Sequence, residues 1–203
     1  SLLEIAILSA INSDKVSDVV VSSESQNVLD YSKHLEEEGR VPKHLRLKRF
    51  KNTEVSRNVP IQDIMIEAGE FFKGLRGVSP DMVIFLNLHA VYRKTEHINT
   101  AINILNITES DSVVSVQEER DPMFSHGENG LNLLNPGRFV DLTFDRERLY
   151  CFNGSIIATW WEVVRAHGVF GEKIGYIEMS AEDSLQIKTL KMLNYLKASD
   201  QNE

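Results

Sequence analysis

The sequence predicts an α/β domain built on a mostly parallel sheet, and three observations carry that prediction. Helical stretches and short β-branched runs alternate from Ser1 to Glu118, with four of each, which is the pattern of crossover connections in parallel sheets. Met82-Val83-Ile84-Phe85-Leu86 is an unbroken apolar run after Ser79-Pro80, as in a strand buried on both faces. With 203 residues, 42% of them apolar, the chain has material for the core of one medium domain. A single domain spanning residues 1–203 is therefore expected.

In chain order, Ser1–Ile11 is apolar nearly all round and reads as a buried helix. Complete domains seldom begin inside such an element, so a preceding segment is expected. Asp18–Ser23 is a β-branched strand ending in hydroxyls. A helix capped by Ser25 should turn Val28, Tyr31 and Leu35 inward and close at Glu36-Glu37-Glu38-Gly39. Arg40–Arg57 is basic within an acidic chain, with Arg46 and Arg49 at its middle; it reads either as a solvated surface or as a lip for phosphate or carboxylate. His44–Phe50 within it has strand character. From Val59-Pro60 an amphipathic helix runs to about Lys73, with Ile61, Ile64, Met65, Ala68, Phe71 and Phe72 on one side and Gly74 and Gly77 ending it.

The central strand exits into Asn87, His89, Tyr92 and Arg93, at the carboxyl end where open α/β sheets bind ligands. A helix capped by Thr95 follows, with Ile98, Ala101, Ile102 and Leu105 on one face. Asp111–Glu118 alternates as a strand does. Asp121–Asp145 holds Pro122, Gly127, Gly130, Asn135, Pro136 and Gly137 without sustained period, so it should leave the sheet as a hairpin, flap or dimer arm. Leu149–Thr159 is a strand broken by a turn or bulge at Asn153-Gly154. A short helix at Trp160–His167, a strand at Lys173–Met179 and a last helix at Thr189–Lys197 complete the pattern. Leu190, Leu193 and Leu196 should face inward on that last helix.

Composition excludes several functions. A net charge of -8 argues against non-specific nucleic-acid binding. No apolar run is long enough for a membrane span. Cys151 is the only cysteine; an internal disulfide is excluded, a cytoplasmic setting is expected, and the thiol reads as a small buried apolar group. No metal-ligand spacing, Gly-x-Ser-x-Gly elbow, Gly-x-Gly-x-x-Gly or Walker-type loop is present. His89 has no recognisable catalytic partner.

Six phrases nevertheless stand in one order: DVVVSSES, FLNLHAVYR…HINTAI, DSVVSVQEE, YCFNGSII, GEKIGYIEM and SAEDSLQIKTL. Together they resemble the acylneuraminate cytidylyltransferases, which activate sialic acid and related nine-carbon acidic sugars as CMP-sugars. The resemblance covers nearly the whole chain. It implies a Rossmann-like nucleotidyltransferase fold with a small dimerisation excursion, a homodimer, CTP and an acidic sugar as substrates, Mg²⁺ as cofactor and pyrophosphate as product. The family's Leu-Gln-Pro-Thr-Ser-Pro-Leu-Arg phrase falls on Leu86–Arg93, with Asn87 keeping an amide and Arg93 retained. Its Tyr-x-x-Asn-Gly phrase falls on Tyr150, Asn153 and Gly154. Substrate contacts are thereby implied for Asn87, His89, Arg93, Tyr150, Asn153 and Gly154, and phosphate contacts for Arg46, Arg49 and Lys188.

Two departures qualify the resemblance. The family's basic, Gly-rich phosphate loop is not in this sequence, which starts where the following helix would be. The family's Asp-Ile-Asp-Thr, whose carboxylates hold the metal, falls on Gln186-Ile187-Lys188-Thr189. No metal is expected beside Gln186 and Lys188, and an active enzyme would need other ligands, such as Glu182 or Asp183. No residue is assigned as catalytic. Three readings follow: an active cytidylyltransferase, a relative that binds nucleotide or sugar without turnover, or a domain sharing the fold alone.

Overall fold

The computed structural model describes residues 1–49, 59–135 and 148–199, with side chains described through residue 194. Phe50, Lys51 and Arg57 of the basic segment, residues 136–145 of the excursion and the Leu196 side chain lie outside that description. Helix α1 (Leu2–Ile11) opens on a cap in which the Ser1 hydroxyl accepts from the Glu4 N–H at 3.2 Å. Its all-round apolarity has a structural reason. Ile7 packs with Val21, Leu29 and Leu35, whereas Ala10 joins a second cluster around Ile98, Leu105, Val113 and Ile156.

Strand β1 (Val20–Ser23), helix α2 (Gln26–Glu37) and strand β2 (Leu45–Lys48) follow. On α2 the buried positions are Leu29, Ser32 and Leu35, while Val28 and Tyr31 are exposed. This rotates the helix from the face that periodicity predicted. The cause is a buried polar pair, Ser32 Oγ with His44 Nε2 at 2.6 Å, which apolar periodicity does not register. Ser25 sits at the cap position without a side-chain capping bond.

Helix α3 (Ile61–Arg76) runs through Gly74 and stops at Gly77, whose φ of 76° lies in the left-handed region. Its inner face centres on Met65 and Gly69, with Ile61 exposed. A Cβ on Gly69 would fall inside the Trp161 indole, so glycine there is what lets the ring pack against the helix. Strand β3 (Met82–Leu86) leads to helix α4 (Thr95–Ile107), where Ile98, Ala101, Ile102 and Leu105 are buried as predicted. The three larger side chains contribute about 1.5–3 kcal/mol each through burial. Lys94, not Thr95, holds the cap position, its N–H donating to His97 Nδ1.

Strands β4 (Ser112–Glu119), β7 (Leu149–Trp160) and β8 (Ile174–Glu178) join β3 in a sheet of order β3-β7-β4-β8. β7 runs antiparallel to both β3 and β4, and β8 is parallel to β4. Three of the four strands therefore point one way. The break expected at Asn153-Gly154 is a bulge inside β7: Val114 pairs with Ile157 and Val116 with Phe152, so Asn153–Ile156 stand opposite Ser115 alone, with Gly154 at a φ of 69°. Strands β5 (Phe124–Gly127) and β6 (Gly130–Leu133) form a separate hairpin, so the start of the excursion leaves the sheet as expected. Asn135 seals the hairpin's base, accepting from Met123 N at 2.8 Å and donating to the Asp121 carbonyl at 3.0 Å. Helices α5 (Trp161–Ala166) and α6 (Leu190–Ser199) complete the described fold; Leu190 is exposed rather than inward.

One expectation is corrected. Asp18–Ser23 was predicted within the same sheet as the central strand. Among the described residues β1 pairs only with β2, in parallel register Val20↔Leu45 to Ser23↔Lys48, and β3 pairs only with β7. The two sheets are joined by side-chain packing of α1 and α3, not by a ladder, and a cleft lies between β1 and β3. Cys151 is likewise exposed, not buried. No helix among the described residues is long and apolar enough to cross a membrane.

Candidate functional site at the carboxyl edge of the sheet

The carboxyl ends of β3, β4 and β8 lie at one edge, and the first half of β7 runs along it. Asn87 extends the ladder by one residue, its N–H donating to the Ser155 carbonyl at 3.1 Å. The chain then turns sharply. Asn87 Oδ1 accepts from His89 N–H at 3.0 Å and the Asn87 carbonyl from Ala90 N–H at 3.3 Å, a turn in which the side chain imitates backbone. The remaining amide nitrogen faces Gly154, standing 4.0 Å from where a Cβ on that glycine would lie.

Gly154 has φ of 69°, and the Gln186 Nε2 is 3.1 Å from the same Cβ point. Gln186 donates to the Asn153 carbonyl. Its own segment is docked by an Ile187 N–H bond to the His89 carbonyl at 2.9 Å and a bridge between Ala90 and Gln186. Three chain segments thus converge on Gly154, whose missing side chain leaves room for two carboxamides.

Asn153 is occupied by the protein itself. Its Oδ1 accepts from Ser155 N–H at 3.0 Å and Ser115 Oγ at 2.6 Å, and its Nδ2 donates to Ser184 Oγ at 2.9 Å. It fastens residues 179–187 to β7. Ser115, Ser184 and Gln186 belong to this arrangement; of the three, sequence reasoning reached only Gln186, and only as a replaced metal ligand.

Arg93 also turns inward. It is 3% exposed and donates from Nη1 to the carbonyls of Asn87 at 2.8 Å and Ser155 at 3.3 Å, with Ser9 Oγ 3.4 Å from Nε. Burial lowers its pKa to about 10, so the guanidinium stays charged at neutral pH and organises the Asn87 turn. His89 is exposed, contributing its backbone to the docking just described.

The other sequence candidates lie apart. Tyr150 is four residues from Gly154 along β7, about 13 Å at strand rise, opposite Glu118 with its ring 4.8 Å from that of Tyr176. Arg46 is paired with Glu36 at 2.6 Å, and that bond holds the Glu36 carboxyl below its ordinary range. Arg49 follows β2, its Nε shielded and without a hydrogen-bond partner among the described residues. Lys188 is exposed, two residues beyond Gln186.

These groups do not fit a divalent metal. A carboxamide already donating to Asn153 and an exposed ammonium offer a dipole and a cation, where a divalent ion needs anionic oxygen ligands. Asp183 is engaged by Lys94 at 2.9 Å and faces His97 at 3.6 Å. Burial pushes the Asp183 pKa up, but hydrogen bonds from Lys94 and Ser180 outweigh it and leave the carboxyl below its usual value.

No protein-family model and no curated protein matches the chain. Solved structures do. A 4-diphosphocytidyl-2C-methyl-D-erythritol synthase from Anaerococcus prevotii shares the fold with a TM-score of 0.64 and 12% identity, over 98% of this chain and 89% of that one. A CMP:2-keto-3-deoxy-manno-octonic acid synthetase complexed with CTP matches with a TM-score of 0.63 and 11% identity, over 99% and 88% of the respective chains. At these identities the likeness is one of fold, and it establishes the mixed α/β architecture of these two enzymes for this chain.

Proposed function

We propose that this chain is a CTP-dependent nucleotidyltransferase of the cytidylyltransferase type, acting on an acidic nine-carbon sugar. The observation that supports the reading most is the convergence of Asn87, Gly154 and Gln186 at the carboxyl edge of the sheet, in a fold matched end to end by a synthetase complexed with CTP. Asn87 offers its free N–H₂ to a sugar or base oxygen. Arg93 acts behind it as a positioning residue, and Gly154 lets a ligand approach the backbone. The sugar hydroxyl oxygen forms a bond to the α-phosphorus and gives its proton to solvent, the bond from that phosphorus to the β-phosphate bridge oxygen breaks, and pyrophosphate leaves. The chain's share is orientation and charge stabilisation, with the exposed Lys188, two residues beyond Gln186, available to phosphate. Gln186 and Lys188 do not form a site for a metal. A homodimer built on the β5–β6 hairpin belongs to this reading, and the exposed Phe124 and Leu131 on that hairpin support it.

A second reading has its own observation in Lys188 and Gln186, which stand where the resemblance places the metal carboxylates: a subunit that binds CTP or sugar without turnover. Calorimetric titration of CTP with and without Mg²⁺, beside a pyrophosphate-release assay on a panel of acidic sugars, separates the two. Release with any of these sugars supports the enzyme. Metal-independent CTP binding without release supports the binding subunit. Absence of CTP binding removes the enzyme, and absence of sugar binding as well removes the second reading.

A further inference from the structure

We infer that Asn129 is a site of spontaneous modification, where the chain converts its own asparagine through a cyclic imide to aspartate and isoaspartate. The inference does not depend on the nucleotide reading. The chain contains two Asn-Gly pairs, Asn129-Gly130 and Asn153-Gly154, and the fold treats them oppositely.

Asparagine is chemically labile, and its deamidation needs a backbone nitrogen to reach the carboxamide carbon. The Gly130 nitrogen attacks Asn129 Cγ and an N–Cγ bond forms. The Cγ–Nδ2 bond breaks, and the proton of the attacking nitrogen leaves with Nδ2 as ammonia. Water then opens the imide at one of its two carbonyls, giving aspartate or isoaspartate. No other reactant is required. Glycine in second place favours the attack because no Cβ obstructs the approach.

Asn129 has the access. Glu128 and Asn129 form the turn between β5 and β6, closed by the pair Gly127↔Gly130, and both Asn129 and Gly130 are exposed. Among the described residues, no atom beyond the adjoining ones lies within 4 Å of the point where a Gly130 Cβ would stand. The nitrogen is open to attack, and the imide is open to water. Gly130 has φ of 120°, a conformation that favours glycine. The turn itself therefore calls for the residue that makes Asn129 reactive.

Asn153 is locked. Its Oδ1 accepts from Ser155 N–H and Ser115 Oγ, its Nδ2 donates to Ser184 Oγ, and swinging Cγ onto the Gly154 nitrogen breaks these bonds. The space at Gly154 is also taken, with Gln186 Nε2 3.1 Å and Phe152 Cε1 3.9 Å from the corresponding Cβ point. In the hairpin segment, Asn132 precedes the branched Leu133, and Asn135 precedes Pro136, whose nitrogen carries no hydrogen.

The product places one more negative charge beside Glu128. Isoaspartate also routes the main chain through the former side chain, adding one atom to the turn. Aged molecules thus differ from new ones at the tip of the hairpin.

The test holds the full folded chain at neutral pH for several weeks and then digests it with trypsin, which leaves Asn129 in peptide 121–138 and Asn153 in peptide 149–165. A one-dalton gain is expected in the first peptide, placed at Asn129 by fragmentation. Isoaspartate there should accept a methyl group from S-adenosylmethionine through an isoaspartyl methyltransferase. The gain in the second peptide should be at least tenfold slower. In urea, where the bonds to Asn153 are lost, the two peptides should convert at comparable rates. Asn129→Ser should abolish the gain in the first peptide and leave the circular dichroism spectrum unchanged. An unmodified Asn129 in the folded chain overturns the proposal, whether a second copy or anything else shields it. Equal rates for the two peptides in the folded chain overturn it too, as does a gain placed at Asn132 or Asn135, or resistance of Asn153 that persists in urea.

Discussion

The Arg93 guanidinium donates to the Asn87 carbonyl at 2.8 Å, from a position where solvent hardly reaches it. An arginine that by its place in the sequence should meet a substrate anion is instead the internal brace of the turn that presents Asn87. Its cost of burial is offset by carbonyl oxygens rather than a carboxylate. Arg93→Leu leaves the carbonyls of Asn87 and Ser155 without this donor and should destabilise the fold by about 2–4 kcal/mol, read as a lower urea midpoint. Arg93→Lys should recover only part of that loss, because one ammonium cannot span both carbonyls and Ser9. If Arg93 met ligand directly, both variants would lose CTP affinity while keeping wild-type stability.

Gly154→Ala meets two obstacles, the positive φ of 69° and the Gln186 amide 3.1 Å from the new methyl. A loss of about 1–3 kcal/mol is expected from the backbone strain alone, with ligand affinity falling as the carboxamides are pushed apart. Adding Gln186→Ala should relieve the crowding but not the strain. A double-mutant cycle by urea unfolding, with CTP titration on each variant, separates the two contributions; a cycle with no coupling would show that Gln186 does not crowd that position.

A pH dependence follows from Asp111. Its carboxylate accepts from the N–H groups of Lys173 at 2.9 Å and Glu172 at 2.7 Å, and those bonds lower its pKa beneath the ordinary 3.8. A carboxyl depressed in the folded state contributes stability in full above pH 3.8, and the contribution is lost as pH falls through the folded value. Asp111→Asn should therefore melt lower than wild type at pH 6, and the gap should close in acid. A gap that is constant from pH 6 to pH 2 would rule out this linkage.

For the hairpin, Leu131→Asp places a charge on a side chain that is 70% exposed. It should leave the fold intact and shift light-scattering mass from dimer to monomer. A wild type that is monomeric at high concentration rules out the hairpin as a dimer arm.

The sequence was informative where one face of an element is uniformly apolar. Ile98, Ala101, Ile102 and Leu105 were readable because their spacing has no competitor, and β3 because its run is short and bounded. It was misleading where a polar group is buried and satisfied. Ser32 displaced Tyr31 from the inner face through its bond to His44, and Arg93 read as a ligand contact because a buried arginine is indistinguishable from an exposed one in sequence. The candidate site divided along the same line. Strand-end position and family phrase single out Asn87 and Gly154, which the structure places side by side, whereas the Ser115–Asn153–Ser184 chain needed the register of β4 against β7. Sheet membership of β1 was invisible for another reason: a strand's pattern records that it is buried, not which strand it pairs with.

Among the described residues no backbone ladder joins β1–β2 to the larger sheet; α1, α3, Val16 and Val19 pack across, with Ser13 Oγ donating to Asn99 Oδ1 and Thr95 Oγ1 to the Ser9 carbonyl. Packing between helices and strands can loosen without breaking a backbone bond in either ladder. Amides of β7, bonded on both sides by β3 and β4, should exchange with deuterium only through global opening. Those of β2, in a two-stranded ladder on the far side of a cleft, should exchange through local excursions many times more often. Faster exchange in β2 than in β7 would mark the packing between the two ladders as the weaker part of the described fold.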